Sequence, residues 1–196
     1  MNRAGVGRML IASLHQGISD LIPTRLEFYE NWLHATGMRD GRIGMAPLAA
    51  VLSFLRQEGE PYELVTGRAG EYAAQWMFDN LSPIRRSLIR SLPTRLRARV
   101  AMQITKRVIR RSYHGSRAVS KLRKGQGTIT MRSSVFCSVR EPFARPLCGY
   151  YAAALTRSLA LVSVNGKVHV QSCQGAGAPA CVIALRLLPD HAESEN

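Results

Sequence analysis

Four cysteines, Cys137, Cys148, Cys173 and Cys181, all fall in the last third of a chain of 196 residues. Ten residues separate the first pair and seven the second. The second pair brackets the turn Gly175-Ala176-Gly177-Ala178-Pro179, which can fold both sulfurs back toward one point. Cys148 opens a helical pattern, where the positive end of the helix dipole favours the thiolate that a metal requires. Four thiolates about 2.3 Å from one ion make a closed tetrahedral zinc site, structural because no position is left for water. No C-x2-C occurs, so the spacing is not that of a zinc ribbon, and by itself it fits buried apolar thiols equally well.

Little else in the sequence points to catalysis. Gly5-Val6-Gly7 has neither a preceding strand nor a third glycine, since Leu10 stands there. Gly175-Ala176-Gly177 runs into Pro179 and a β-branched segment instead of the helix that a dinucleotide fingerprint needs. No iron–sulfur spacing is present, and His15, His34, His114, His169 and His191 are scattered without a readable triad. The reading is a binding protein with no hydride donor or redox cofactor of its own.

The elements that must position the cysteines divide into helices first and strands later. Val6, Leu10, Leu14, Ile18 and Leu21 recur at three- or four-residue spacing up to Pro23. Thr24 and Glu27 form a capping box for a second helix stopped by Gly37, and Gly41–Met45 reads as a strand. Leu48, Val51, Leu52 and Leu55 mark a third helix, and the run from Leu64 to Met77 a fourth. Pro83 and Pro93 each start another. After Gly125-Gln126-Gly127, strands are expected over Thr128–Arg132 and Val135–Arg140, then a helix over Leu147–Val162. A hairpin of Lys167–Ser172 and Cys181–Leu188 follows. The fold class is α+β with a mostly antiparallel sheet. One domain is expected, with a helical part over 1–124, a strand–helix–hairpin module over 125–188, and a disordered acidic tail over 189–196.

Composition excludes a disordered or membrane-spanning chain: 46% of residues are hydrophobic, 20% are charged, and no apolar run reaches the length of a bilayer span. His15, Gln16 and Asp20 interrupt the apolar patch Met9–Ala12 before a secretory core forms, which reads as a cytoplasmic protein. The net charge of +14 is local. Residues 80–140 hold sixteen Lys or Arg and no Asp or Glu, which leaves the rest of the chain at −2. Within that block the helix Thr94–Tyr113 has Leu96, Val100, Ile104 and Val108 at four-residue spacing. Arg95, Arg99, Lys106, Arg107, Arg110 and Arg111 occupy other positions, as an anion-attracting surface. A solvated helix face, an acidic protein partner, an anionic membrane surface or an anionic ligand all satisfy this pattern. Nucleic acid fits it less well, because no recognition motif is present and the block's aromatics are only Tyr113 and Phe136.

Three runs, Ser134-Val135-Phe136-Cys137, Pro146-Leu147-Cys148-Gly149-Tyr150-Tyr151-Ala152-Ala153 and Cys173-Gln174-Gly175-Ala176-Gly177-Ala178-Pro179-Ala180-Cys181, resemble the 4-vinyl reductase domain family in order and gaps. That family includes the bacteriochlorophyll-pathway 4-vinyl reductase and is related to sensor domains of phenol- and xylene-responsive regulators and to Golgi-transport subunits. The resemblance covers about Gly127–Leu187. It implies a homodimeric NO-signalling/Golgi-transport-like fold in which helices and an antiparallel sheet enclose an apolar ligand pocket. It also implies zinc held by Cys148, Cys173 and Cys181. The family's glutamate ligand falls on Val170, which cannot bind metal, so Cys137 is the expected fourth ligand and His169 the reserve. The implied ligand is a hydrophobic small molecule: a tetrapyrrole intermediate presented to biosynthetic enzymes, or, alternatively, an aromatic or lipid ligand of a sensor or adaptor domain. Trp32, Trp76, Phe136, Tyr150 and Tyr151 are the candidate pocket residues, each of which core packing would explain as readily.

Overall fold

The computed structural model describes residues 6–33, 45–139 and 142–189. The expected strand over 41–44 and the tail over 190–196 lie outside them, and Met45 opens a helix instead. Helix α1 (Arg8–Leu21) buries Leu10, Leu14 and Ile18 of the stripe read from sequence together with Ile11, leaves Leu21 exposed, and stops before Pro23. A 3-10 turn (Pro23–Arg25) leads into α2 (Leu26–Leu33), and α3 (Met45–Gln57) buries Leu48, Val51, Leu52 and Leu55. Gly59 turns the chain at φ 77° into α4 (Glu60–Asp79). The short α5 (Pro83–Arg90), capped where Ser82 Oγ accepts from Arg85 N, and the long α6 (Thr94–Ser112) complete the helical part.

Four strands form one antiparallel sheet in the order β1-β2-β4-β3, with β1 Arg117–Arg123, β2 Gln126–Arg132, β3 Gly166–Ser172 and β4 Cys181–Leu187. Helix α7 (Gly149–Leu161) lies between β2 and β3 in the chain. The inner sheet face presents Ile129 and Met131 from β2 and Cys181, Ile183 and Leu185 from β4, so Cys181 faces inward by strand alternation. The α+β class with an antiparallel sheet is the one read from the sequence.

Two differences from the sequence reading have plain causes. Strand β1 was not expected: its outward residues Arg117, Val119, Lys121 and Arg123 are exposed and its inward ones only half-buried, so an edge strand of this kind gives almost no apolar signal. The segment after β2 is not a strand. Ser133 takes φ 62°, which breaks the extended backbone, and Val135–Cys137 close into a 3-10 turn that buries Ser134, Val135 and Phe136 together.

Helix α6 follows its sequence pattern only in its second half. Ile104 and Val108 of the expected stripe are buried with Ala98, Ala101, Met102, Thr105 and Ile109, whereas Val100 is half-buried and Leu96 is 40% exposed. A four-residue spacing advances about 40° per step around a 3.6-residue helix, so a stripe from Val108 back to Leu96 leaves the core and reaches the surface.

The centre of the helical part is the packing of α4 against α1 on one side and α7 on the other. Glycines set both distances. A Cβ on Gly17 would sit 2.8 Å from Val65 O, and one on Gly70 would sit 2.0 Å from Tyr150 O. These approaches bring Tyr150, and with it the start of α7, onto the helical body. Replacing Gly70 by Ala is therefore expected to destabilise by about 1–3 kcal/mol through overpacking. Gly67→Ala, one turn away with nothing within 4 Å of its Cβ, should instead stabilise by up to about 1 kcal/mol. Urea unfolding of the two variants beside the parent checks both signs.

Candidate metal centre and adjoining cleft

The four cysteines arrive from four different places. Cys137 ends the 3-10 turn after β2, and Cys148 is the N-cap of α7 without using its sulfur as a cap. Cys173 follows β3 and opens a second 3-10 turn, and Cys181 is the first residue of β4. Their sulfurs meet. Cys137 Sγ lies 3.2 Å from Cys148, 3.4 Å from Cys173 and 3.5 Å from Cys181. Cys148 Sγ lies 3.2 Å from Cys173 and 3.0 Å from Cys181. Cys148, Cys173 and Cys181 are buried, Cys137 is half-buried, and none is in a disulfide. The group can hold a metal ion.

The donor set passes the test that a metal would set. A regular tetrahedron of sulfurs about 2.3 Å from a zinc ion has edges of ~3.8 Å, and the five sulfur separations given above, 3.0–3.5 Å, are shorter than that and would open on binding an ion. Backbone donors aim at the sulfurs as they do at metal-bound thiolates: Leu147 N to Cys173 at 3.2 Å and Gln174 N to Cys181 at 3.3 Å. Hydrogen bonds from Cys137, Cys148 and Cys181, with the Leu147 N–H, hold the Cys173 thiol far below the usual range. The hydrogen bond with Cys137 comes first among the causes that push Cys148 and Cys181 far up. Without a cation the four groups share protons, because four adjacent thiolates repel one another.

The surrounding chain is tied to this point. Phe143 N donates to Gly175 O at 2.7 Å, and a Cβ on Gly175 would sit 2.7 Å from Leu147 Cδ1, so the loop before α7 lies flat on the β3–β4 turn. Gly177 takes φ 89°, which lets that turn close with Ala178 N on Cys173 O at 3.1 Å. Tyr62 of α4 donates to Leu147 O at 2.9 Å from a buried position, and burial raises its pKa.

A cleft of about 620 Å³ opens beside this loop, lined by Arg56, Tyr62, Glu63, Phe143, Arg145 and Leu147 among others. The Arg56 guanidinium stands 5.8 Å from the Phe143 ring centre and donates to Phe136 O at 3.5 Å. Arg145 lies 3.4 Å from a Glu63 oxygen. Sequence reasoning did not single out Arg56, Tyr62 or Phe143, because they belong to separate elements that only the fold brings together.

The candidate pocket aromatics are placed differently from a ligand cage. Phe136, Tyr150 and Tyr151 are fully buried and pack on one another, with ring centres 4.9–5.4 Å apart. Tyr150 OH meets Ser13 Oγ at 3.2 Å, and burial raises its pKa to about 12. Tyr151 OH and Ser134 Oγ are buried without a hydrogen-bond partner. Trp76 sits apart on α4 against Tyr72, and the Trp32 side chain lies outside the described residues. His169 is exposed on β3, alternating with the half-buried Val168 and Val170, and is not part of the sulfur group. Arg95, Arg99, Arg107, Arg110 and Arg111 are exposed along α6, with Lys106 half-buried.

No protein-family model matches the chain, and no curated protein matches it in sequence. Solved structures do match it. The H-NOX domain from Shewanella oneidensis in the Fe(II)CO ligation state aligns with a TM-score of 0.59 at 12% identity, over 94% of this chain and 99% of that one. An Fe(II) unliganded H-NOX protein mutant from K. algicida gives 0.59 at 12% identity, over 94% and 98%. The phenol-responsive sensory domain of the transcription activator PoxR with phenol gives 0.45 at 15% identity, over 74% of each chain. The fold is that of the H-NOX domains. The resemblance to the 4-vinyl reductase family rests only on the residue runs that carry it.

Tyr62→Phe removes the donor to Leu147 O and leaves that buried carbonyl unpaired. It should cost about 1–2 kcal/mol in denaturant unfolding. Tyr72→Phe, an exposed tyrosine bonded to Asp20, is the matched control and should cost less.

Proposed function

We propose that this protein is a sensor-type binding domain for a small aromatic molecule, built around a structural zinc site of Cys137, Cys148, Cys173 and Cys181. The observation that carries the reading is the contact between the sulfur group and the 620 Å³ cleft through one residue. Leu147 lines the cleft, its N–H donates to Cys173 Sγ and its carbonyl accepts from Tyr62, another cleft residue. Tyr62 and Phe143 offer aromatic surface to the cleft, and Arg56, with no carboxylate within ion-pair distance among the described residues, supplies a cation for an acidic substituent. The H-NOX fold supports a ligand-binding role in general. Zinc, when bound, neutralises the thiolates and fixes the loop; it takes no part in chemistry, since four sulfurs leave no open position.

A presenter of a tetrapyrrole intermediate is the weaker reading, because Phe136, Tyr150 and Tyr151 fill one another's space and none of them lines the cleft. Inductively coupled plasma mass spectrometry of the purified protein should find one zinc per chain. Chelation should expose four thiols to Ellman's reagent and lower the melting temperature, and Cys173→Ser should lose most of the metal. Protein with four reactive thiols and no metal from its own host would remove the zinc site. For the ligand, calorimetric titration with benzoate, phenol and protoporphyrin is expected to show saturable heat with benzoate. The affinity should fall at least about tenfold in Arg56→Ala, the loss of one charge-assisted contact. A saturable Soret shift with the porphyrin and no heat from the benzene-sized compounds would restore the tetrapyrrole reading. Native mass spectrometry in the same experiment reads the subunit number, for which a homodimer is proposed.

A further inference from the structure

A second apolar surface lies far from the sulfur group in the chain. Helices α5 and α6 leave between them a groove of about 470 Å³, lined by Leu81, Leu88, Leu92, Leu96 and Val100 and bordered by Arg85, Arg99 and Arg107. Helix α5 has no buried residue. Its Ile84 and Leu88, one turn apart on one face, are 81% and 63% exposed, and Leu96 of α6 is 40% exposed. We infer that this face docks onto an anionic lipid membrane, with Ile84 and Leu88 entering the acyl boundary and the three groove arginines meeting lipid phosphates.

Charge and exposure favour a bilayer over other occupants. Arg85, Arg99 and Arg107 have no carboxylate within ion-pair distance among the described residues, and the sequence from 80 to 140 contains no acidic residue to supply one. Arg97 is already engaged, with Nη1 2.6 Å from Ser163 O, and Arg86 reaches Asp79 at 3.9 Å, whereas the three arginines at the groove rim have no ion-pair partner among the described residues. The apolar side chains project beyond the surface next to arginines, which is the arrangement of helices that lie in a membrane interface. A second copy of the same face would bring like charges together. No helix among the described residues is long and apolar enough to cross a membrane, so the contact is peripheral.

The inference is independent of the zinc and cleft reading, and its test uses the full chain as purified. Co-sedimentation is measured with vesicles of phosphatidylcholine alone and with about 30 mol% phosphatidylglycerol added, a content that gives a strongly negative surface. Binding should require the anionic lipid and fall at least about tenfold between low and high salt, as screening shortens the reach of the charges. Ile84→Ser/Leu88→Ser and Arg85→Gln/Arg99→Gln, at exposed positions and checked for an unchanged circular dichroism spectrum, should each weaken it by about tenfold. If the serine variant does not fold, the lipid-composition and salt arms on the parent protein decide by themselves. Equal binding to neutral vesicles, no binding to anionic ones, or variants that bind as the parent does would each overturn it. So would a duplex oligonucleotide that displaces the protein from anionic vesicles at lower concentration than the lipid, which would assign the face to nucleic acid.

Discussion

Bringing four sulfurs within 4.8 Å of one another, with five of the separations at 3.0–3.5 Å, is the constraint on which the C-terminal half depends. Between the end of β2 at Arg132 and the start of α7 at Gly149, the described residues contain no regular element beyond one 3-10 turn. Such a stretch buries little backbone hydrogen bonding of its own and would be costly to order. Cys137 and Cys148 fix it at two points, and Cys173 and Cys181 fix the β3–β4 turn to the same point. The close approach also sets an electrostatic condition: the sulfurs must share either protons or a cation, and a cation satisfies all four at once. Two backbone N–H groups already oriented at Cys173 and Cys181 favour the charged form of those sulfurs.

The charge of the chain is distributed by the same logic of local satisfaction. In the helical part up to Asp79, several acidic residues find nearby partners: Asp20 and Glu71 with Arg68, Glu58 with Arg25, and Glu30 with the His15 ring. Exposed pairs of this sort contribute little to stability, but they consume the negative charge. Beyond Asn80 no carboxylate occurs until Glu141, and apart from Arg86, which reaches Asp79, the Lys and Arg side chains of α5, α6 and β1 have no ion-pair partner among the described residues. The acidic residues at the cleft, Glu60 and Glu63, stand with the opposite group, which separates a mixed-charge ligand cleft from a purely basic apolar groove.

Much of this was legible in the sequence, for identifiable reasons. Buried helices α1 and α3 read correctly because Leu10, Leu14, Leu48, Val51, Leu52 and Leu55 keep helical spacing through the core. The sulfur group was legible because all four cysteines fall in the last third, flanked by a turn and a helix start. Strand β1 was not, since an exposed edge strand of arginine, lysine and serine carries no apolar alternation. The 3-10 turn at Val135–Cys137 was not, because β-branched and aromatic residues gave the composition of a strand while Ser133 imposed a left-handed backbone. Arg56, Tyr62 and Phe143 were invisible for a different reason: no local signal links positions brought together only when α3, α4 and the 142–147 loop pack. The aromatic trio was chosen for residue type, yet a buried Phe136 stacked on Tyr150 is what a core also requires.

The cleft and the sulfur group share a wall, and this gives the fold a route by which occupancy of one affects the other. Leu147 is held from both sides of its peptide, by the Cys173 sulfur at its N–H and by the Tyr62 hydroxyl at its carbonyl, and its side chain packs on Gly175. A ligand that contacts Tyr62 or Phe143 must therefore accept the position that the sulfurs dictate, or strain it. On the proposed reading, a cation bridging the sulfurs would hold the loop and preform the cleft, so less ordering entropy would be lost on binding. With the thiols protonated the same loop loses its strongest anchor, and Tyr62 is left as the main tie between α4 and the start of α7 at this end. The cysteines in this arrangement need no chemistry of their own to matter for recognition; they set the shape that the cleft presents.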